Sequence, residues 1–453
     1  MKSFNIQSLW VVLLSLTSVL LFSCQEAPVD FSTHVAPIIE QHCTPCHNKN
    51  GAAPFVLEDY WQVKQKAKMI AYVTQHRIMP PWPADPSYSH FIGERLLSEA
   101  DIQTLKSWYE QGCPKGDDSH LKLKYNAISS MSLGKPDMVI DVTPVNILNN
   151  NKDQFLVIKI PYEMSRPKFV RAVEFLPGKI QYMHHVNGHY LSMDDQTNPF
   201  AGNRMLSVED PNYEQAFLGL QLTNSNGTMP QRVHSAFNFL PGAYGVAYPS
   251  GIGGFWMSAK GAFVANDMHI GPSTKACTDS SKLLIYFSDK PNQRPTSEWM
   301  MGTNGISAIQ PPLQIAPNTI SKHFSRTRIY SDVSVLTVNP HMHLIGKSFK
   351  AYAILPNGDT THLISIPRWQ FRWQYFYTFT HPLRLPRGTE VVVEAVFDNT
   401  LKNPNNPFNP PRLIGERMDR GGASMRTTDE MLQFIITYMP YQKGDETIDL
   451  TQP

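Results

Sequence analysis

Charged residues are scarce in this sequence, and neither sign dominates. Asp, Glu, Lys and Arg make up 17% of its 453 residues, and the formal net charge is +2. Because a nucleic-acid partner requires a basic field, we predict no nucleic-acid binding. The chain also lacks a short-period repeat and the glycine patterns of dinucleotide-binding and phosphate-binding loops, which argues against a repeat protein and a nucleotide cofactor.

Long apolar runs are absent except near the N-terminus. Lys2 precedes an apolar run over 9–22, which is too short to span a bilayer but fits a secretory signal. The run ends in LFSC, which resembles a bacterial lipobox, although a simple cleaved signal with a spare cysteine is the alternative. We expect 1–23 to be a lipoprotein signal peptide, Cys24 to be lipidated and 24–30 to be a linker. The mature chain would be an exported bacterial lipoprotein, in the periplasm or on the outer membrane, held to a membrane by lipid alone.

Cysteine is also scarce, with five residues. Cys43, Cys46 and His47 form the pattern Cys-x-x-Cys-His, which is typical of a c-type haem site. Such a haem needs two thiols on one turn for its thioether bonds, and a neighbouring histidine as the proximal iron ligand. A disulfide beside a histidine is the alternative. Cys113 and Cys277 remain, and they either pair or stay as thiols.

The second axial ligand of the haem iron is predicted to be Met79, in the proline-stiffened stretch "HRIMPPWP". His76 is the alternative ligand, and Met69 is expected to pack in a core. A His/Met pair raises the haem potential and leaves no open coordination position. The haem should therefore carry electrons and not activate oxygen.

Residues 31–118 have a helical pattern. Val35, Ile38 and Ile39 share one face, and the stretch "SEAD" that begins at Ser98 resembles a capping box at the start of a helix. We predict a small all-α cytochrome c domain over 31–118, which would carry the haem.

After residue 134 the pattern changes to short strands separated by turns. The whole chain has 36 prolines and 26 glycines, and their spread among short apolar runs indicates a β-rich body. Asn357-Gly358 is a hairpin signal. We predict two all-β domains, at 119–295 and 296–453.

Three histidine clusters lie in the β-rich part: His184 with His185, then His269, then His341 with His343. Side chains two apart on a strand share a face, so His341 and His343 can bind one metal from a single strand. Adjacent histidines on a regular strand point to opposite faces. For His184 and His185 to share a metal, the backbone must bend there or the metal must lie between them in a nearly linear arrangement.

Taken singly, each cluster is a weak signal. His-x-His also occurs in zinc hydrolases, but Leu344 and Ile345 follow His343 here in place of the Asp-His continuation of metallo-β-lactamase-like enzymes. A blue-copper site needs a cysteine ligand with a nearby downstream histidine or methionine, and the sequence after Cys277 has neither.

The order of the clusters is more specific than any one of them. With "FLPGKIQYMHH", "NPHMHLIGKSFKAYAILPNGD", "PRWQFRWQYFY", "FDNTLKNPNNP" and "TTDEM", the chain resembles the copper type II, ascorbate-dependent monooxygenases. These are the relatives of peptidylglycine α-hydroxylating and dopamine β-monooxygenases, in particular the bacterial members fused to an N-terminal cytochrome c. The resemblance covers the mature chain, including "RIMPPWPADP" and "SWYEQGCPKGD".

The resemblance implies two jelly-roll β-sandwich domains that face each other across a solvent-filled cleft, with one copper ion in each. It assigns an electron-transfer copper to His184, His185 and His269. It assigns the catalytic copper to His341, His343 and Met431, where O2 would be used to hydroxylate a substrate C–H bond. Core packing at the start of a strand is the alternative role for Met431.

The substrate pocket implied by the resemblance departs from that of the peptide-specific members. Those members have an arginine where this chain has Asn339, and an asparagine and a tyrosine where it has Gln433 and Ile435. The bidentate clamp for a carboxylate is therefore missing. We predict that C-terminal glycine-extended peptides are not substrates.

The function predicted from sequence is therefore that of a copper-dependent monooxygenase with two copper ions and one covalent haem c. Its partners would be O2, an organic substrate, an external electron donor to the haem and a membrane. Electrons would pass from the haem to the copper at the first histidine cluster and then to the second. The alternatives are a membrane-anchored electron-transfer or copper-binding protein without turnover, and a zinc hydrolase.

Overall fold

The structure is a computed structural model that describes residues 28–118, 121–124, 133–241, 247–289, 294–419, 422–423 and 426–452. The predicted signal peptide and Cys24 lie outside the described residues. Within these ranges, no helix is both long enough and apolar enough to cross a membrane.

The chain divides into two compact units. The first comprises Met1–Thr44, Leu57–Met79 and Leu97–Tyr125, and the second comprises Pro45–Val56, Pro80–Leu96 and Asn126–Pro453. The described part of the first unit holds a π-helical turn, Phe31–Val35, and the helices α1 Ala36–His42, α2 Tyr60–Gln75 and α3 Glu99–Glu110.

Aromatic side chains form the core of the first unit. The ring of Phe31 lies 5.2 Å from that of Tyr60 and 5.8 Å from that of Trp108. Both partners also use their polar atoms: the Tyr60 hydroxyl donates to the Cys113 carbonyl, and the Trp108 indole N–H donates to the Pro114 carbonyl, each at 2.9 Å. The predicted capping box is confirmed, because Ser98 and Asp101 bond reciprocally at the start of α3.

The second unit contains the strands. Those of its first half are β1 Met138–Asp141, β2 Val145–Ile147, β3 Gln154–Glu163, β4 Lys168–Leu176, β5 Met183–Ser192, β6 Met205–Ser207, β7 Gln231–Phe239, β8 Phe255–Met257, β9 Lys260–Ile270, β10 Cys277–Asp279 and β11 Lys282–Phe287. Those of its second half are β12 Ser297–Gly302, β13 Ile309–Gln310, β14 Gln314–Ile315, β15 Ile320–Arg328, β16 Val333–Met342, β17 Gly346–Ile354, β18 Thr360–Ile366, β19 Tyr377–Leu385, β20 Glu390–Asp398, β21 Ile414–Gly415, β22 Met418–Asp419, β23 Gly422–Ala423 and β24 Leu432–Pro440. This unit also holds α4, Tyr213–Gly219, and two 3-10 turns, Ile180–Tyr182 and Asp445–Thr447.

Four antiparallel sheets enclose two hydrophobic cores in this unit. The first core lies between the sheets β6-β3-β9-β5-β7 and β1-β11-β4-β8, and the second between β12-β24-β16-β19 and β13-β15-β20-β17-β18. The hairpin predicted at Asn357-Gly358 is confirmed, because β17 and β18 pair across it and Gly358 has a φ of +90°. Glycine adopts that backbone conformation without strain.

The predicted fold class, a small all-α cytochrome c domain followed by two all-β jelly-roll sandwich domains, is wrong. The described protein is mostly β-sheet with four short α-helices, and no all-α domain is seen. Pro45–Val56 and Pro80–Leu96, which fall within the predicted 31–118 domain, belong to the β-rich unit. The physical reason is long-range packing: Phe91 lies 5.1 Å from the rings of both Tyr377 and Phe379. The domain boundary near 295 stays a prediction.

Candidate metal centres and the haem motif

The first histidine cluster lies where β5 and β9 pair. His185 is opposite His269, and the register shifts between Met183 and His185, so that His184 is an extra residue in β5. A β-bulge of this kind interrupts the regular alternation of side chains. The bend that adjacent histidines require in order to share one metal is therefore present.

The bulge brings three imidazole rings together. The ring of His269 lies 4.4 Å from that of His184 and 5.2 Å from that of His185. His185 and His269 are buried, and His184 is half-buried. Burial lowers the pKa of His184 to about 4 and also lowers the pKa of His269. Both rings are thus neutral near pH 7, which is the form that binds a metal.

Hydrogen bonds fix which nitrogen the two β5 histidines can offer. Nε2 of His184 donates to the Gly271 carbonyl, and Nε2 of His185 donates to Oδ2 of Asp267 at 3.0 Å. Both oxygens act as acceptors. The Gly271 carbonyl has no proton to donate. The Asp267 carboxyl is ionised, because burial would raise its pKa but the neighbouring His185 lowers that pKa by more. A neutral imidazole that donates through Nε2 keeps its lone pair on Nδ1. Outer partners of this kind orient metal-binding histidines.

Asp153 is a further candidate ligand that the sequence analysis missed. Its Oδ1 lies 3.1 Å from Nε2 of His269 and 4.0 Å from Nε2 of His184, and the three side chains present ligand atoms within 4.8 Å of one another. Nε2 of His269 is buried, and although it is close to Oδ1 of Asp153 it lacks a hydrogen bond of good geometry. Asp153 follows a run of asparagines in a polar turn, a setting that gives no sequence signal for a metal.

The second histidine cluster lies at the end of β16. The rings of His341 and His343 lie 5.1 Å apart, and both residues are buried. In this cluster, the ring nitrogens that bond to surrounding groups are the Nδ1 atoms. Nδ1 of His343 donates to the Asp429 carbonyl at 2.9 Å, and Nδ1 of His341 donates to Oε1 of Gln374. The lone pairs therefore lie on Nε2. Nε2 of His341 is buried without any hydrogen-bond partner, so a metal would satisfy it.

The orientation of Gln374 is fixed independently, because its Nε2 donates to the Phe371 carbonyl at 2.8 Å. Burial lowers the pKa of His341 to about 3 and also lowers the pKa of His343. Both second-cluster rings are thus neutral, like His184 and His269.

Met431 lies close to this second cluster along the paired strands. The β16–β24 ladder pairs His341 with Gln433 and Met342 with Leu432, and it ends one residue short of both His343 and Met431. Leu432 belongs to the hydrophobic core of these sheets. Met431 is itself buried, at 2% exposure, so both copper binding and core packing stay open as its role.

Glu430 holds the end of β16 against the start of β24. Its carboxylate accepts from the backbone N–H groups of His343 and Ile345, each at 2.9 Å, and from that of Met431 at 3.2 Å. Burial raises its pKa to about 8, although these three donors act in the opposite direction. Glu430 therefore sets the relative positions of His343 and Met431 through the backbone.

Phe371 contacts a histidine of each cluster. Its ring centroid is 6.4 Å from that of His185 and 6.0 Å from that of His343, and it is nearly perpendicular to both. The charge of Asp267, which bonds to His185, also acts to raise the pKa of His341 against the effect of burial. The two clusters are thus neighbours within one unit, and one aromatic ring contacts both His185 and His343.

Asn339 and Gln433, which replace residues of the peptide-specific members, lie on the same paired strands, β16 and β24. Nδ2 of Asn339 donates to the Tyr375 carbonyl at 2.9 Å, and Nε2 of Gln433 donates to the Thr303 carbonyl at 2.8 Å. Both amides hold neighbouring backbone in place. The exclusion of glycine-extended peptides stays a prediction.

Cys43 of the haem motif belongs to the first unit, and Cys46 and His47 belong to the second. Nδ1 of His47 donates to the Phe55 carbonyl at 3.0 Å, which leaves Nε2 as the lone-pair nitrogen that an iron needs. Burial raises the pKa of the Cys46 thiol, while a hydrogen bond from Arg95 lowers it. The residues fit a haem attachment site, and Arg95 is a neighbour that the motif did not indicate.

The candidate axial residues differ in exposure. Met79 is half-buried, whereas His76 is exposed and its Nδ1 donates to the Tyr72 carbonyl at 2.8 Å. The expectation that Met69 packs in a core is wrong, because it is 49% exposed on the outer face of α2. Cys113 and Cys277 are not joined by a disulfide.

No protein-family model matches the chain, and no curated protein matches it. Solved structures with some similarity include one described as PNGF-II, with a TM-score of 0.23 and 10% identity over 72% of this chain and 71% of that chain. Another is the structure of infectious bursal disease virus Gx strain, with a TM-score of 0.17 and 10% identity over 71% of this chain and 79% of that chain. Scores this low carry no argument about fold or function.

Proposed function

We propose that the protein is a copper-dependent monooxygenase that hydroxylates a C–H bond of an organic substrate with O2, with electrons delivered through a c-type haem on the same chain. One copper ion would be held by His184, His185 and His269, and the second by His341, His343 and Met431. The haem would be attached to Cys43 and Cys46, with His47 and Met79 as iron ligands. When bound, copper supplies one-electron chemistry with O2 and the haem supplies electrons, which no side chain of the protein can do.

The observation that carries the proposal is the orientation of the two histidine clusters. The β5 histidines bond outward through Nε2, and the histidines of the second cluster bond outward through Nδ1. Each of these four rings, when neutral, therefore keeps one unprotonated nitrogen, and the buried Nε2 of His341 has no hydrogen-bond partner among the described residues. Hydrogen-bonded core histidines would leave no such nitrogen unsatisfied.

The residue types at the second cluster favour copper in a protein that must meet O2. Imidazole binds both oxidation states of copper, and the thioether of Met431 favours the reduced one. Gln374 and Glu430 hold His341, His343 and the Met431 backbone in place before a metal arrives. A site that is organised in advance loses little entropy on binding.

Zinc is a second candidate at the first cluster, because the structure adds Asp153 to His184 and His269. Two histidines and a carboxylate also suit a zinc site. A zinc hydrolase predicts zinc in the purified protein and no dependence on O2. Metal analysis of the exported chain separates the two candidates: we expect two copper ions and one haem per chain.

The test of the monooxygenase proposal is Met431→Leu, which keeps the side-chain volume and removes the thioether. We expect substrate-dependent O2 uptake to be lost while haem absorbance persists, because only the second cluster has lost a ligand. The structural cost should stay below about 1.5 kcal/mol, as for other volume-conserving swaps. Oxygen uptake is screened with candidate substrates, and the variant is then compared with the wild type.

The matched control is Met439→Leu, which changes a buried methionine in the same strand, β24. It should leave O2 uptake intact. A wild-type protein that holds copper and haem but consumes no O2 with any substrate would instead support an electron-transfer or copper-binding protein without turnover.

A further inference from the structure

Residues 369–377, which we name the connector segment, contact both histidine clusters. The indole N–H of Trp369 donates to the His343 carbonyl at 3.1 Å, and the Phe371 ring lies 6.4 Å from that of His185 and 6.0 Å from that of His343. Gln374 accepts from Nδ1 of His341. The connector segment therefore reaches the outer side of the second cluster through a side chain bonded directly to His341.

The connector segment also reaches the haem motif, through Tyr375. The Tyr375 hydroxyl donates to the Pro81 carbonyl at 2.9 Å, and its ring lies 5.4 Å from that of Trp82. Pro81 is two residues after Met79 in the covalent chain. The Met79 side of the haem motif is thus connected to Tyr375 by two peptide links and one hydrogen bond.

A second connection starts at Cys46, which would form one of the two thioether bonds to the haem. Arg95 hydrogen-bonds to the thiol of Cys46, and both Arg95 and Cys46 interact electrostatically with Tyr375. Cys46, Arg95 and Tyr375 all belong to the β-rich unit. Two separate parts of the haem motif therefore converge on one tyrosine, whose chain neighbour is Gln374.

We propose that Tyr375 and Gln374 carry electrons from the haem motif directly to the second histidine cluster, without passage through the first. This inference rests on the proposed function. With both cofactors bound, a ferrous haem iron would lose one electron and a cupric ion held by His341, His343 and Met431 would gain it, and no proton would move. The order differs from the one expected from sequence, in which the first cluster lies between the haem and the second.

The physical basis is the continuity of the connection. From Pro81 to His341 it consists of a hydrogen bond, the Tyr375 side chain, one peptide link, the Gln374 side chain and a second hydrogen bond. Electronic coupling falls less steeply through covalent and hydrogen bonds than through space. Asn339 fixes this connection further, because its Nδ2 donates to the Tyr375 carbonyl at 2.9 Å.

The route is tested on the full-length, copper-loaded protein under anaerobic conditions. The haem is reduced by a flash of photoreductant while both copper ions are cupric, and its reoxidation is followed by absorbance. His269→Ala disables the first cluster, and His343→Ala disables the second. We expect a fast reoxidation phase in the wild type and in His269→Ala, and loss of that phase in His343→Ala.

The opposite pattern, with the fast phase lost in His269→Ala and kept in His343→Ala, would overturn the inference and leave the monooxygenase proposal standing. Absence of a fast phase in wild-type protein that holds both copper ions would also overturn it. Failure of the proposed function shows separately, as absence of copper in the metal analysis or of O2 uptake.

Tyr375→Leu tests the connector itself. We expect the fast phase to be lost while copper content and haem midpoint potential stay at wild-type values, which a purely structural role would not produce. Tyr286→Leu removes a buried, hydrogen-bonded tyrosine from β11 and is the matched control, with the fast phase retained. A wild-type reoxidation rate in a copper-loaded Tyr375→Leu protein would contradict the proposal.

Discussion

At the scale of single residues, the account depends on which histidine nitrogen is free. Oxygen acceptors take Nε2 in His184 and His185, and they take Nδ1 in His341 and His343. An acceptor oxygen beside one ring nitrogen sets the tautomer and makes the other nitrogen a better ligand. Two of these acceptors are side chains, Asp267 and Gln374, and we expect them to influence metal affinity without touching the metal.

Gln374 gives the most direct test of this control. Gln374→Ala removes the acceptor for Nδ1 of His341, so the second cluster should bind copper roughly 10 to 100 times more weakly, the usual effect of losing such a partner. The first cluster should keep its affinity, because its outer partners are unchanged. A competitive titration with a Cu(I) chromophore measures both sites.

Two further variants give this prediction its controls. Gln374→Glu keeps an acceptor oxygen and should retain most of the affinity. Gln370→Ala changes a glutamine in the same connector region that does not bond to His341, and it should bind copper as the wild type does. Equal affinities in Gln374→Ala and Gln370→Ala would refute a role for Gln374 in fixing His341.

Several of the residues that matter at this scale could not be predicted from sequence. Cys46, His47 and the histidine pairs stand out because their spacing is short and chemically specific. Asp153, Gln374 and Phe371 are of types found in any loop, and only the tertiary structure places them against the histidines. Glu430 lies inside the quoted "TTDEM" motif, yet its three backbone hydrogen bonds are visible only once β16 and β24 are paired.

At the scale of secondary-structure elements, local signals predicted the strands and turns well. Asn357-Gly358 predicted a hairpin and the "SEAD" stretch predicted a helix start, because both depend on residues close in sequence. The irregularity at His184 followed from the need for two adjacent side chains to reach one side of a strand. The packing partners of each element depend on distant residues, which such signals do not report.

One element-scale feature that local patterns did not show is a polar row across the sheet β12-β24-β16-β19. Register aligns Glu298, Thr437, Thr337 and Thr378 in neighbouring strands. The Thr437 hydroxyl donates to Oε1 of Glu298 at 3.2 Å, and Tyr248 bonds to Thr337 at 2.7 Å. Oε2 of Glu298 is shielded from solvent and has no partner.

This row predicts a pH dependence of stability. Burial raises the pKa of Glu298 from 4.5 to about 7. Between pH 4.5 and about 7, the folded protein therefore holds a proton on Glu298 that the unfolded chain has released. The contribution of Glu298 to stability is full below pH 4.5 and is lost as the pH rises through about 7. The loss should be roughly 2 to 3 kcal/mol.

Glu298→Gln removes this titration and should weaken the fall in melting temperature between pH 5 and pH 8. Thermal unfolding at both pH values, for variant and wild type, measures the difference, since all other groups titrate alike in the two proteins. Glu163→Gln, at an exposed glutamate at the end of β3, is the control and should behave as the wild type. An unchanged pH dependence in Glu298→Gln would show that Glu298 does not titrate in this range.

At the scale of the whole molecule, the haem motif and the β-rich body are less separate than the sequence indicated. The helical periodicity of 31–118 predicted an independent all-α domain, but Pro45–Val56 and Pro80–Leu96 belong to the β-rich unit. Trp82 and Phe91, both in the second of these stretches, pack into a core formed by residues hundreds of positions later. That packing places Cys46 and Pro81 beside the connector segment, and so links the haem motif to the second histidine cluster.

The central claim is that these parts together hydroxylate a substrate with O2. The most direct measurement uses the copper-loaded and haem-loaded protein, isotopically labelled O2, an electron donor and a substrate that stimulates oxygen uptake, followed by mass spectrometry of the product. We predict one labelled oxygen atom in the product, the other in water, and no incorporation in the Met431→Leu variant. Product without labelled oxygen, or oxygen uptake that yields only hydrogen peroxide, would contradict the claim.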